Sequence, residues 1–119
     1  MEQFRFLDWP VYRSAQELFT LVLGLVQALP KEYRYDLGSQ LVRSSFSVVL
    51  NIAEGSGKSS DKEMNRFLEI SLGSLYETLA AAETLQGMKL VSREEFVLVH
   101  ERASGIAKQI GGFKKKLDS

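Results

Sequence analysis

Gln40-Leu-Val-Arg43-Ser-Ser-Phe-Ser47-Val-Val-Leu-Asn51-Ile-Ala-Glu54-Gly55 carries a narrow polar stripe on an otherwise apolar helix. At about 3.6 residues per turn, Gln40, Arg43, Ser47, Asn51 and Glu54 share a wedge of roughly 100°. Leu41, Val42, Phe46, Val48, Val49, Leu50, Ile52 and Ala53 cover more than half of the circumference, which is wider than the one apolar face of a surface helix. Such a helix needs neighbours on most sides. Arg43 and Glu54 are then expected to be buried, and buried charges are costly unless they are paired and hydrogen-bonded.

Outward from this segment the pattern is helical throughout, with no convincing alternating strand. Helices are expected over about 10–29, 35–55, 61–87 and 93–117, as one domain spanning 1–119. Pro10 suits the first turn of helix one, and Val11, Ala15, Leu18, Val22, Leu25 and Leu29 recur at spacings of four and three, widened by Phe19, Leu23 and Val26. Pro30 stops that helix. Asp36 offers a cap for helix two, and Gly55 offers a left-handed terminator. Ser60-Asp-Lys-Glu63 and Ser92-Arg-Glu-Glu95 read as capping boxes that open helices three and four. Helix four carries Phe96, Val99, Ala103, Ile106, Ile110, Phe113 and Leu117 as a coiled-coil-like seam. Short connections imply antiparallel neighbours, so the fold class is all-α, an antiparallel up-down four-helix bundle.

On helix three Phe67, Ser71, Ser74, Thr78 and Leu85 share one face, with hydroxyls where large apolar side chains would be expected. These small residues let helices approach closely and can donate toward the helix-two stripe. Glu77, at the edge of the face, is a candidate partner for Arg43. The alternative is that the hydroxyls bond back to their own helix, as such side chains often do in mid-helix.

Gln40-Leu-Val-Arg43, Ser47, Asn51-Ile-Ala-Glu54-Gly55 and Phe67-Leu-Glu-Ile-Ser71-Leu-Gly-Ser74-Leu-Tyr-Glu77 together carry a resemblance. The chain resembles the four-helix-bundle family first described from intervening sequences in 23S ribosomal RNA genes, often labelled S23 ribosomal protein. Relatives include the accessory variability determinant of diversity-generating retroelements, which works beside a reverse transcriptase. The resemblance spans nearly the whole chain, with Leu29-Pro30, Tyr33 and Leu90 outside the signature. It implies a non-enzymatic up-down bundle that assembles as a homopentameric ring and binds nucleic acid. Two departures stand out: Val42 where many relatives have a second arginine, and Val49 where many have a proline. The first weakens a basic surface on this helix, and the second leaves the helix straighter.

Rival chemistries find little support. Gly55-Ser-Gly57-Lys58-Ser59 resembles a phosphate loop, but Ile52 stands where the first glycine belongs and a helix, not a strand, precedes it. His100 is the only histidine and there is no cysteine, which excludes disulfides and thiolate metal sites. A di-iron bundle needs paired Glu-x-x-His motifs, and none is present among Glu54, Glu63, Glu69, Glu77 and Glu83. No nucleophile elbow supports hydrolysis. No enzyme activity, cofactor, metal or small-molecule substrate is therefore expected. The start lacks a signal-peptide pattern and no apolar run would span a membrane, so a cytoplasmic protein without membrane contact is expected.

Fifteen basic and fifteen acidic side chains cancel, so nucleic-acid binding would need a local patch. In an up-down bundle the start of helix one, the turn between helices two and three, and the end of helix four share one end. That end gathers Arg5, Lys58, Lys62, Arg66, Lys114, Lys115 and Lys116 against Glu2, Asp8, Asp61, Glu63 and Asp118, an excess of two positive charges per copy. Five copies would make a weak basic ring able to hold RNA or an RNA–DNA hybrid by phosphate contacts. Lysines near a helix C-terminus also complement its dipole without binding anything. Tyr12, Tyr33, Tyr35 and Trp9 are the expected exposed aromatics. The alternative function is a protein–protein scaffold or adaptor without nucleic-acid contact, docking a partner such as a polymerase through Tyr33-Arg34-Tyr35 at the other end.

Overall fold

The computed structural model describes residues 3–118. A 3-10 turn over Arg5–Asp8 leads into α1 (Pro10–Gln27), with Pro10 in the first turn, where its missing N–H breaks no helical bond. The helix ends at Gln27 rather than 29, and Ala28 closes it with its N–H on the carbonyls of Gly24 and Leu25.

The chain re-enters helix earlier than expected. Lys31–Tyr33 is α-helical, Arg34–Gly38 forms a π-helical turn, and α2 (Ser39–Ser56) follows without a break. Asp36 therefore lies inside helical backbone and does not cap it. Its carbonyl instead accepts from Ser39 Oγ at 3.2 Å. Gly38 is buried in this turn, and a β-carbon there would come within 2.8 Å of Val26 Cγ1 on α1. Arg34 Nε donates to the Leu29 carbonyl at 3.2 Å and ties the corner together.

Gly55 does not terminate α2. The helix continues to Ser56, Gly57 follows at φ −89°, and no glycine among the described residues has a positive φ. Gly55 is buried for another reason: a β-carbon on it would sit 3.0 Å from Phe67 Cβ and 3.4 Å from the Met64 carbonyl oxygen. The missing side chain serves a close helix crossing rather than a left-handed backbone.

Helix α3 (Asp61–Gly87) opens with Ser60 Oγ accepting from the Glu63 N–H at 3.1 Å. At its end Lys89 takes φ 64°, with its N–H on the Gln86 carbonyl at 3.0 Å and the Leu90 N–H on the Leu85 carbonyl at 2.9 Å. This is a Schellman closure with lysine at the position that favours glycine. Helix α4 (Arg93–Asp118) opens with a capping box closed both ways: Glu95 N–H to Ser92 Oγ at 3.1 Å and Ser92 N–H to Glu95 Oε1 at 2.9 Å.

The four long helices pack in sequence, α1 on α2, α2 on α3, α3 on α4 and α4 back on α1, which sets α1 and α3 on one diagonal. No strand occurs among the described residues. The result is a four-helix bundle measuring 44 × 23 × 20 Å. Every member of the α1 repeat, from Val11 to Leu29, is buried. Val99, Ala103, Ile106 and Ile110 supply the buried part of the α4 seam, while Phe96, Phe113 and Leu117 close its ends half-buried. Each fully buried leucine or isoleucine contributes about 1.5–3 kcal/mol. Polar contacts tie α4 to α1 at the rim: Arg102 Nη1 to Glu17 Oε2 at 2.9 Å and Gln109 Nε2 to Ser14 Oγ at 3.1 Å.

Candidate nucleic-acid interface

The polar stripe of α2 divides in two. Its middle lies against α3 and forms a hydrogen-bonded seam. Ser47 Oγ and Ser74 Oγ are 2.8 Å apart, and Asn51 Nδ2 donates to the Ser47 carbonyl at 2.8 Å and to Ser47 Oγ at 3.0 Å. Around them Thr78 Oγ1 donates to Ser44 Oγ at 2.8 Å, and Ser71 Oγ donates to the Val48 carbonyl at 2.8 Å. The hydroxyls of α3 thus reach across to α2, although Thr78 also bonds back to the Ser74 carbonyl at 2.9 Å. Their small size lets the two helices approach, and their protons satisfy the polar groups that the approach buries.

The other half of the stripe faces solvent. Gln40, Arg43, Glu54 and Glu77 are all exposed, which overturns the expectation of a buried charge pair. Arg43 and Glu77 have no ion pair among the described residues, and Glu54 makes only a long contact with Lys58 at 3.9 Å. The physical reason is that α2 turns Ser44, Val48, Ile52 and Gly55 inward and leaves Arg43 one step outside that face. The apolar circumference is likewise not wholly covered by this chain, since Phe46 remains 43% and Leu50 48% exposed.

The basic end is assembled by packing between elements distant in sequence. Arg5 Nη2 donates to the Ser56 carbonyl at 3.2 Å, and its guanidinium lies 5.5 Å from the Trp9 ring centre. Trp9 packs on Phe113 with centroids 4.8 Å apart, joining the start of α1 to the end of α4. Lys58 Nζ and the Arg66 guanidinium lie 4.7 and 5.0 Å from the centre of the Phe67 ring. Lys62 and Lys115 are exposed, and Lys114 pairs with Glu69 at 3.1 Å.

Two acids missing from the sequence count therefore belong to this end: Glu54 beside Lys58, and Glu69 on Lys114. They take up the excess of two positive charges. Glu2 and the Asp118 side chain, counted at the same end, lie outside the described residues. What remains distinctive is arrangement rather than net charge, because two aromatic rings and one backbone carbonyl hold three cationic groups at fixed places.

The model of the 23S rRNA-intervening sequence protein family matches residues 8–112, which include both halves of the stripe but only Lys58, Lys62 and Arg66 of the basic end. The chain belongs to this family. No curated protein sequence matches it. Among solved structures it is similar to a protein of unknown function from the S23 ribosomal protein family of Bacteroides thetaiotaomicron VPI-5482, with a TM-score of 0.82 and 23% sequence identity. The similarity covers 88% of this chain and 98% of that one, and at this identity it shows the fold.

Within the family frame, the sequence reading missed three features. Trp9, Tyr12 and Tyr33 are half-buried rather than exposed, Trp9 against Phe113 and Tyr12 against Phe6, whereas Tyr76 on α3 is 68% exposed. Of the cations over Phe67, Arg66 is its sequence neighbour, whereas Lys58 comes from the α2–α3 turn, a juxtaposition that no local spacing announces. The outward Phe46 and Leu50 had a signal, namely more apolar residues on α2 than one core face requires. Among the described residues no three metal-ligating side chains gather at one place, and no helix is long and apolar enough to cross a membrane.

Proposed function

We propose that this protein is a non-enzymatic accessory protein that binds nucleic acid without reading its sequence, as a ring of five copies. The observation that carries the reading is the fixed cationic cluster at one end, where Arg5 sits on Trp9 and Lys58 and Arg66 sit on Phe67. Cations already lie over the Trp9 and Phe67 rings, so the chemistry that fits these residues is phosphate attraction to RNA or an RNA–DNA hybrid. The ring of five comes from the family resemblance, and repetition around an axis would set five copies of these held cations around one rim.

The test is retention of a mixed-sequence RNA as salt is raised, comparing the native chain with a variant in which Lys62, Arg66 and Lys115 are all glutamine. The reading expects affinity that falls steeply with salt and a flatter slope in the variant, by about 0.7 per phosphate contact removed on a single strand. An unchanged slope rejects this surface.

One observation favours a protein-docking scaffold as the second reading: Tyr35 is 83% exposed on the π-helical turn at the other end. A single-turn π segment presenting a bare aromatic suits partner contact better than phosphate contact. Pull-down of a partner lost in Tyr35→Ala and kept in the lysine and arginine variant would select it.

A further inference from the structure

We infer that copies of this chain meet head to tail, the α2 ridge of one entering the α3–α4 groove of the next, with Arg43 set against Glu83. The inference rests on the ring reading above but not on nucleic-acid contact.

The ridge and the groove lie on opposite sides of the bundle, because the helices pack in the order α1, α2, α3, α4. On the ridge, Phe46 and Leu50 stand one turn apart, and the Phe46 ring is braced on Phe19 of α1 with centroids 4.9 Å apart. On the other side, Tyr76 and Leu79 line two adjoining clefts of about 320 and 220 Å³. Along the smaller cleft α4 offers Ala103, Ser104 and Ala107, side chains too small to fill it, and Phe96 of α4 lines the larger one. A braced aromatic with a leucine one turn on is the usual shape of a helix seated in a groove.

Charge and register agree with one occupant, a second copy. Among the described residues Arg43 is exposed without an ion pair, and Glu83 at the rim of the groove is exposed without one. Within one copy the seam sets Ser44 level with Thr78 and Ser47 level with Ser74. Rotation about an axis along the bundle keeps these heights. Phe46 then arrives level with Leu75 and Tyr76 in the groove, and Arg43 arrives about one helical turn short of Glu83, roughly 6 Å along the axis and within reach of two long side chains. A contact between two different faces is heterologous, the kind that builds rings when the rotation closes.

The chain has no cysteine, so thiols can be placed singly. Phe46→Cys and Tyr76→Cys are made separately, both at exposed positions, and oxidised alone and mixed in the absence of nucleic acid. The expected result is a covalent dimer in the mixture and none in either variant alone. Self-linking of Phe46→Cys would mean like faces meet, and no linked product in the mixture would mean the faces do not meet; either overturns the inference. Arg43→Glu is expected to weaken self-association about tenfold, and Glu83→Arg added to it to restore most of that loss; an Arg43→Glu chain that associates as well as the native one, or no recovery in the double variant, overturns the pairing. Native protein that light scattering shows as a ring but that gives no mixed cross-link defeats the face assignment alone, whereas a monomer defeats the ring reading with it.

Discussion

Gly55 and Phe67 mark a close approach of α2 and α3: a β-carbon on the glycine would fall 3.0 Å from the β-carbon of the phenylalanine. The obstructing atom sits next to the α3 backbone and cannot swing away, so an alanine must push the helices apart. Alanine gains about 1 kcal/mol of helix propensity over glycine, and overpacking a core costs about 1–3 kcal/mol. Gly55→Ala is expected to lower stability in urea unfolding. Gly111→Ala, exposed with nothing within 4 Å of its added carbon, should instead raise it by up to about 1 kcal/mol. Equal responses at the two sites would show that the crossing is not close.

The Ser71 hydroxyl is buried and donates to the Val48 carbonyl across the helix interface. Ser71→Ala should cost about 1 kcal/mol by removing that bond while leaving the carbonyl to its own helix. A midpoint that does not move would mean the seam is a consequence of packing and contributes nothing itself.

Lys89 adopts a left-handed backbone that costs a non-glycine residue about 1 kcal/mol. Lys89→Gly is expected to stabilise the protein by about that amount, read as a rise in thermal midpoint. A fall would contradict the Schellman geometry at the end of α3.

Arg43→Ala separates two accounts of the stripe. A buried ion pair would make the change cost about 3–5 kcal/mol. Because Arg43 is exposed and has no ion pair among the described residues, unfolding of the dilute, dissociated chain should shift by no more than about 0.5 kcal/mol. The effect should appear in self-association. A large loss of single-chain stability would restore the buried pair.

Regular spacing made much of the fold legible. The α1 repeat could be read because every member from Val11 to Leu29 faces one core, and Ser92 with Glu95 because a capping box is a local exchange of hydrogen bonds. The readings that failed concern residues with two uses. Asp36 has the chemistry of a cap, but the chain is already helical from Lys31 and has no free N–H groups for it to hold. Gly55 suits a left-handed turn and a close crossing equally in sequence, and only the position of Phe67 decides between them. Arg43 lies one step from the packed face, a distinction finer than a helical wheel resolves. The candidate site was half legible: spacing collected the cations at one end, but Glu54 and Glu69, which offset them, come from positions set by packing between helices.

Light scattering at low and high salt, with and without a mixed-sequence RNA, tests the central claim of a nucleic-acid-binding ring most directly. The expected result is five times the 13.4 kDa chain mass at both salts, rising with RNA at low salt only. A single-chain mass, or a ring whose mass is indifferent to RNA at low salt, would contradict it.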